Sequence, residues 1–426
     1  MKKQPRFRRW HKLDNTANLF PVVASRRTTN VFRMTAVLRD TVDPGLLQRA
    51  LEQTLPYYAA FGVRLRHGLF WSYLEANDSV PVVRLEQDVP CRYMDPLETG
   101  RFLFRVLYFE NRVHLETFHV LTDGTGAMRF LKAICYRYCQ LAYPDGTEQE
   151  KRYGLEQAGN VEDCYLKYSR PSKKAGYKEP SAFHIKGTKR LAGDVGVVSL
   201  LMPVTDLKRV CKESGVSIGE YLAALVLCSI RQAHMPAGGA KKPINLFVPV
   251  NLRRIFGGDT SLNFFSGMTV SQKFGPGPAN FDAVLQDVKR QFAEKCTREA
   301  FEQKLAYTAQ SEKNLFARMT PLLLKNGILR LIYEHSSHGS TTTLSNLGVV
   351  DVDEKFQPYF EGFRFLLPAS PGEPLKFTAC AYGGTLALNV TTLLDRNPLI
   401  LQIAQHLVQA GVPITLESNG DEDETL

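Results

Sequence analysis

From residue 30 to 38 the chain keeps the two-residue rhythm of a strand, and Asp43 with Pro44 then opens a helix to about residue 53. Further strands are predicted over 63–73 and 80–84. Residues 101–109 and 112–118 are rich in β-branched and aromatic side chains and form a hairpin turning at Glu110-Asn111. Directly afterwards the apolar period lengthens from two to about 3.6. Ala127, Leu131, Ile134, Cys135, Tyr138 and Leu141 recur at that helical spacing. Between 143 and 193 Pro, Gly, Lys and Glu dominate and periodicity fades, as in an extended connection with at most a short helix or strand.

A strand over 197–202 restarts the pattern. Thr205 is placed to cap a helix through Glu213 that stops at Gly215, and Ser217 with Glu220 makes a capping box for the apolar helix 221–232. A strand over 244–250 precedes a long helical region, 281–325. Strands follow at 342–344, 363–367, 377–382 and 385–391, then a helix over 399–410. Each half carries a mixed sheet with packed helices, which predicts an α/β fold (α+β mixed sheets) of two similar layers facing each other.

The length of 426 residues exceeds what one core usually supports, so two domains are expected. The net charge of +10 raises the question of nucleic acid, but the basic residues are dispersed and no binding motif appears. The concentrated charges, basic over 2–12 and acidic over 421–424, read as solvated termini. A positive field would still attract a phosphorylated cosubstrate. The longest apolar stretch, 221–230, is too short to cross a bilayer, and no signal peptide is visible, so a cytoplasmic protein without a transmembrane segment is expected. The eight cysteines include no C-x-x-C pair, and Cys135 and Cys139 share one helix face as buried thiols. No Cys/His cluster has metal-ligand spacing, and His335/His338 is an isolated pair, so no metal is expected.

Where the hairpin gives way to the helix stand His119, Asp123 and Gly124, an H-x-x-x-D-G pattern. Such a hexapeptide arises by chance in a chain this long on the order of a few times in a hundred. Taken alone, Asp123 reads as a turn or helix-cap residue and His119 as a satisfied strand-end histidine. A histidine at this junction can also sit at the mouth of a cleft, with a near-neutral pKa suited to taking and returning a proton. Gly124 would then permit close backbone approach or positive φ.

The remaining motifs favour the second reading. Pro249-Val-Asn-Leu-Arg253 is followed by Ser261-Leu-Asn263-Phe-Phe, and later comes Leu344-Ser345-Asn346-Leu347-Gly348. With His119-Val-Leu-Thr-Asp123-Gly124 these stand in the order of the CoA-dependent acyltransferase superfamily, which the chain resembles over nearly its whole length. That group includes chloramphenicol acetyltransferase, peptide-synthetase condensation domains, wax-ester synthases and alcohol acetyltransferase-like proteins, the last branch being the most similar. The opening Trp10-His-Lys-Leu-Asp14 is similar too, though less diagnostic. Phe118 stands where condensation domains usually carry a further histidine, and the plant D-F-G-W-G sequence is absent.

The resemblance implies two chloramphenicol-acetyltransferase-like domains, 1–175 and 176–426, in a V with an interfacial channel. A thioester would enter from one side and an acceptor from the other, meeting at His119 as general base. Asp123 would be structural and paired with Arg253, with Arg254 as the alternative. Asn263 would pin the loop after Arg253, and Ser345 or Asn346 would position the developing oxyanion. The alternative for Ser345 to Gly348 is a turn between strands. The expected reaction moves an acyl group, acetyl in the first instance, from acyl-CoA to a small alcohol, with no permanently bound cofactor. Two other readings remain open: a condensation-type enzyme using a carrier-protein thioester and an amine, and a non-catalytic ligand-binding member.

Overall fold

The computed structural model describes residues 10–14, 17–144, 151, 153–155, 160–170, 181–313, 319–336 and 339–420. The basic segment before Trp10, the acidic tail and the side chains of His335 and His338 lie outside the described residues. The first half holds strands β1 (Trp10–Lys12), β2 (Val31–Leu38), β3 (Val63–His67), β4 (Ser72–Ala76), β5 (Arg84–Leu85), β6 (Phe104–Phe109) and β7 (Arg112–Phe118). Its helices are α1 (Phe20–Val23), α2 (Pro44–Thr54) and α3 (Gly124–Ala142). After α4 (Cys164–Tyr168) come β8 (Gly196–Pro203), α5 (Val204–Glu213), α6 (Ile218–His234), β9 (Ile244–Asn251), α7 (Arg253–Phe256) and β10 (Phe265–Gln272). Helices α8 (Phe281–Lys295), α9 (Arg298–Lys313) and α10 (Leu322–Ser336) follow. The chain closes with β11 (Thr342–Val349), β12 (Phe360–Leu366), β13 (Leu375–Tyr382), β14 (Thr385–Thr392), α11 (Pro398–Gln409) and β15 (Thr415–Ser418).

These strands form three sheets: β1-β4-β3, β12-β2-β7-β6-β5 and β10-β9-β11-β13-β14-β8-β15. The architecture is mixed α/β, since β11 runs parallel to both β9 and β13 while the other neighbours in its sheet are antiparallel. Two main cores follow the two larger sheets. One packs α3 on β2, β6 and β7 through Phe61, Phe104 and Phe130; the other packs α6 and α11 on the seven-stranded sheet through Leu222, Leu246, Phe377 and Leu407.

One strand joins the two sheets. β12, from late in the chain, pairs antiparallel with β2, placing Phe363 opposite Ala36. Its carbonyls at Phe365 and Phe363 accept from Thr378 and Cys380 on β13 of the other sheet. By pairing, 360–366 therefore belongs with residues 31–118. The strand leading to His119 is held from behind as well: the buried Glu116 carboxylate accepts from Arg33 at 2.8 Å and Arg105 at 2.7 Å, tying β7 to β2 and β6.

Local signals set many boundaries. Asp43 accepts from the Leu46 amide at 2.8 Å, and Ser217 and Glu220 exchange both capping-box bonds, at 2.6 and 3.3 Å. Other expectations need correction. The strand over 63–73 is the hairpin β3–β4, closed where the Gly68 amide bonds the Trp71 carbonyl. Of 80–84 only Arg84 is strand, at the start of the two-residue β5. Thr205 caps nothing, because the helix already starts at Val204 after Pro203 with no side-chain cap. The helical region 281–325 is broken into α8, α9 and the start of α10. Ser345 to Gly348 is not a turn between strands: β11 runs on to Val349, with a register shift after Asn346 and Gly348 at φ 76°. Strand β10 was not foreseen. No single helix among the described residues is long and apolar enough to cross a membrane.

Candidate active site

His119 immediately follows β7, where its backbone amide donates to the Asn30 carbonyl at 2.9 Å. The ring stacks on Phe20 with centroids 4.5 Å apart and meets Phe32 edge-on at 5.0 Å and Phe265 at 5.3 Å. Its Nδ1 lies 3.2 Å from Oδ1 of Asn263. The Asn263 amide nitrogen donates in turn to Oδ2 of Asp14 at 3.0 Å and to the His119 carbonyl at 3.1 Å.

This network fixes the tautomer. The His119 carbonyl can only accept, so the Asn263 nitrogen must face it and the amide oxygen must face Nδ1. Nδ1 therefore carries the proton, and Nε2 is left unprotonated as a base. Burial pulls the His119 pKa below the ordinary histidine value, while the Asp123 charge and the Asn263 contact pull the other way. The imidazole is thus neutral at neutral pH. Asp14 is buried, and burial pushes its carboxyl up to about 7, with Asp163 and Asp123 adding to the effect and the Ala17 amide and Asn263 opposing it.

Asp123 faces away from this network and serves as a joint. Its Oδ1 accepts from the Gly126 amide at 3.1 Å, capping α3, and its Oδ2 accepts from Arg253 at 2.7 Å and the Phe264 amide at 2.8 Å. Burial alone would raise this carboxyl, but Arg253 and the two amides hold it below the usual carboxylate value. Arg253 spends its other donors on the carbonyls of Thr260, at 2.9 and 3.1 Å, and Leu262, at 2.6 Å. The same ion pair thus shapes the loop that presents Asn263 to His119. Of the arginine doublet it is Arg253, not Arg254, that does this.

His119 opens on a cavity of about 430 Å³, which Gly124, Phe32, Ser345 and Lys376 also line. The cavity lies against one face of the seven-stranded sheet. Alternate residues point the same way along a strand, so Phe247, Pro249 and Asn251 of β9 and Thr343 and Ser345 of β11 project into it together. Gly124 has no positive φ; its role is close approach, since a Cβ there would lie 2.9 Å from Leu347 and 3.2 Å from Met34. A larger groove of about 700 Å³ around Val82, Arg92 and Leu97 does not reach His119.

The fold thus gathers His119, Asp123, Gly124, Arg253, Asn263 and Ser345 from four places in the chain. Asn346 also borders the cavity but is exposed, and its side-chain oxygen accepts from the Gly348 amide at 2.8 Å. Sequence reasoning missed four residues of this region: Asp14, the aromatic walls Phe20 and Phe32, and Lys376. The Trp10 to Asp14 segment carried the only local signal for the first. No group of three or more His, Cys, Asp or Glu side chains is placed to hold a metal among the described residues.

No family model matches the chain, and no curated protein matches it. Solved structures do. It is similar to TRI101 of F. sporotrichioides, complexed with coenzyme A and T-2, at a TM-score of 0.61 and 11% identity, over 96% of this chain and 100% of that one. It is similar to the wax ester synthase/diacylglycerol acyltransferase of Marinobacter aquaeolei VT8 at 0.56 and 15%, over 94% and 100%. The first condensation domain of the CDA synthetase matches at 0.57 and 15%, over 90% of each chain. With a mixed-sheet core coupled through β12 and a cavity at the end of β7, the chain shares the fold of these solved structures.

Proposed function

We propose that this chain is an acyltransferase that moves an acyl group, acetyl on the simplest reading, from a CoA thioester to the hydroxyl of an alcohol-type acceptor. The observation that carries it is a neutral imidazole whose tautomer is fixed by Asn263 and whose ring lines a cavity. Nε2 of His119 takes the acceptor proton as the hydroxyl oxygen attacks the thioester carbonyl. When the carbon–sulfur bond breaks, the imidazolium returns that proton to the leaving thiolate, and ester and free thiol result. Ser345, half-buried on the cavity face, supplies a hydroxyl near the developing oxyanion. Asn346 is the lesser candidate because its amide oxygen is already engaged. Asp123 and Arg253 shape the site without touching substrate.

On this reading the chain divides into units 1–175 and 176–426 with the cavity between them, β12 being lent back to the first. Acyl-CoA is a cosubstrate and no resident cofactor is required. The likeness to a condensation domain supports a second reading, an amine acceptor with a carrier-bound thioester, since the same base would serve it. The deciding experiment measures thiol release from acetyl-CoA over an alcohol panel, with phosphopantetheinylated carrier and amines as a second arm. His119→Ala should lose roughly 10²–10⁴-fold in turnover. Full activity in that variant overturns the assignment, and transfer from the carrier arm alone replaces CoA as donor.

A further inference from the structure

The cavity that His119 lines also holds an ion pair. Lys376, on β13, contacts the carboxylate of Glu373 and donates to Thr343 Oγ1 at 3.0 Å. Each charged side chain is only 15% exposed. Both line the same cavity as His119, with Phe247 and Thr343 beside them.

The sheet register gives their levels. Phe247 of β9 is level with Thr343 of β11, which is level with Lys376 of β13. Asn251, further along β9, is level with Phe265, whose ring contacts His119. The step from 247 to 251 is four residues, roughly 13 Å at about 3.3 Å per residue. The base and the ion pair therefore line one cavity at different levels along its strands.

Neither member of the pair is fully engaged. An ammonium has three donors, and those of Lys376 meet two partners among the described residues. Glu373 receives both Lys376 and Thr343, at 3.4 Å, on Oε2, which leaves Oε1 open. One donor and one acceptor are thus presented side by side to the cavity. Burial draws the Lys376 ammonium down to about 7, and the Glu373 carboxylate in contact with it favours the charged form. A buried ion pair adds little to stability over an apolar replacement, and here its unused capacity faces the space a substrate would fill.

We propose that Lys376 and Glu373 form a recognition site for a neutral group that both donates and accepts hydrogen bonds, an amide or a hydroxyl, carried on the substrate away from the atom that reacts at His119. The carbonyl or hydroxyl oxygen accepts from Lys376, and the N–H or O–H donates to Glu373 Oε1. A net anion is excluded by the carboxylate, and a plain alkyl chain leaves both groups desolvated and unpaired. This proposal rests on the acyl-transfer reading for the reacting atom. Two substrates can supply the chemistry: the amide-bearing arm of the thioester donor, or the far end of an acceptor.

The test compares wild type with the double variant Lys376→Met/Glu373→Gln, which removes both charges together and so orphans neither. One arm sets acetyl-CoA against S-ethyl thioacetate, which has the reacting carbonyl but no amides. The other sets 1-alkanols against α,ω-diols over a series of chain lengths. The wild type should favour the polar partner in one arm, and the variant should lose at least tenfold of that preference in kcat/KM, through KM. Loss in the thioester arm assigns the site to the donor, and loss in the diol arm to the acceptor. Preferences unchanged in both arms overturn the proposal. Thermal melting checks folding, and Lys376→Gln alone replaces the double variant if it fails to fold. Calorimetric titration of CoA and of the diols into both proteins reads binding without turnover. A wild type that binds through the pair yet never turns over sinks the acyl-transfer reading and leaves the site standing.

Discussion

The side-chain oxygen of Asn263 sits 3.2 Å from Nδ1 of His119, across 144 residues of chain, and assigns the imidazole proton to that nitrogen. Losing that contact frees the ring to rotate or change tautomer. Asn263→Ala should therefore lower kcat by about 10- to 100-fold with a smaller change in KM, a misplaced base being expensive in rate. Steady-state kinetics with saturating acyl-CoA check this, and an unchanged kcat would remove Asn263 from the machinery.

Because burial depresses the His119 pKa, the imidazole holds its basic form through neutral pH. The rate should be flat there and fall only on the acid side of the ordinary histidine value near 6.5. A kcat/KM profile with its inflection above about 7 would contradict the buried environment of the ring.

Asp14 makes stability depend on pH. Its carboxyl keeps a proton up to about 7 in the folded chain but loses it near the ordinary value of 3.8 when unfolded. The folded state thus binds more protons between those values, and stability declines as pH rises through the window. Asp14→Asn keeps an oxygen acceptor for the Asn263 amide and has no proton to lose. Its melting temperature should gain on wild type between about pH 5 and pH 8. A constant difference across that range would place Asp14 in a wetter site than the structure does.

The pair Asp123–Arg253 holds α3 and the 260–264 loop together. Removing either partner strands a buried charge and should cost about 3–5 kcal/mol. Removing both, as in Asp123→Leu/Arg253→Met, should cost less than the two single changes summed. Denaturant unfolding of the three variants reads this, and strict additivity would mean that the two side chains act independently.

Gly126 offers a purely steric test. A Cβ there would lie 2.0 Å from Thr122 Oγ1 and 2.8 Å from the Ser261 carbonyl oxygen, which is backbone of the loop carrying Asn263. Gly126→Ala should destabilise by about 1–3 kcal/mol despite alanine's helix preference of about 1 kcal/mol. It should also reduce turnover by moving that loop. A stabilised variant on denaturant unfolding would show that the contact yields easily.

Much of this protein was legible in its residues. The capping of α2 by Asp43, the Ser217–Glu220 box and the change of period after Phe118 are local, set by groups within a few positions of each other. The H-x-x-x-D-G pattern and the order of the later motifs pointed to the fold that the solved structures share. Where local signals were weak, the reading failed. Gly68 alone marked the turn splitting β3 from β4, and Ser345 to Gly348 has turn-forming residues but is held in β11 by its neighbour β13.

Sequence alone named His119, Asp123, Arg253 and Asn263, because each stands in a short recognisable pattern. It could not say that Asp14 would lie 3.0 Å from Asn263, 249 residues away, that β12 would join β2, or that Lys376 would look down the same cavity as His119. Those relationships depend on which faces of distant strands are brought together, and burial and charge pairing have values only once the chain has closed around them.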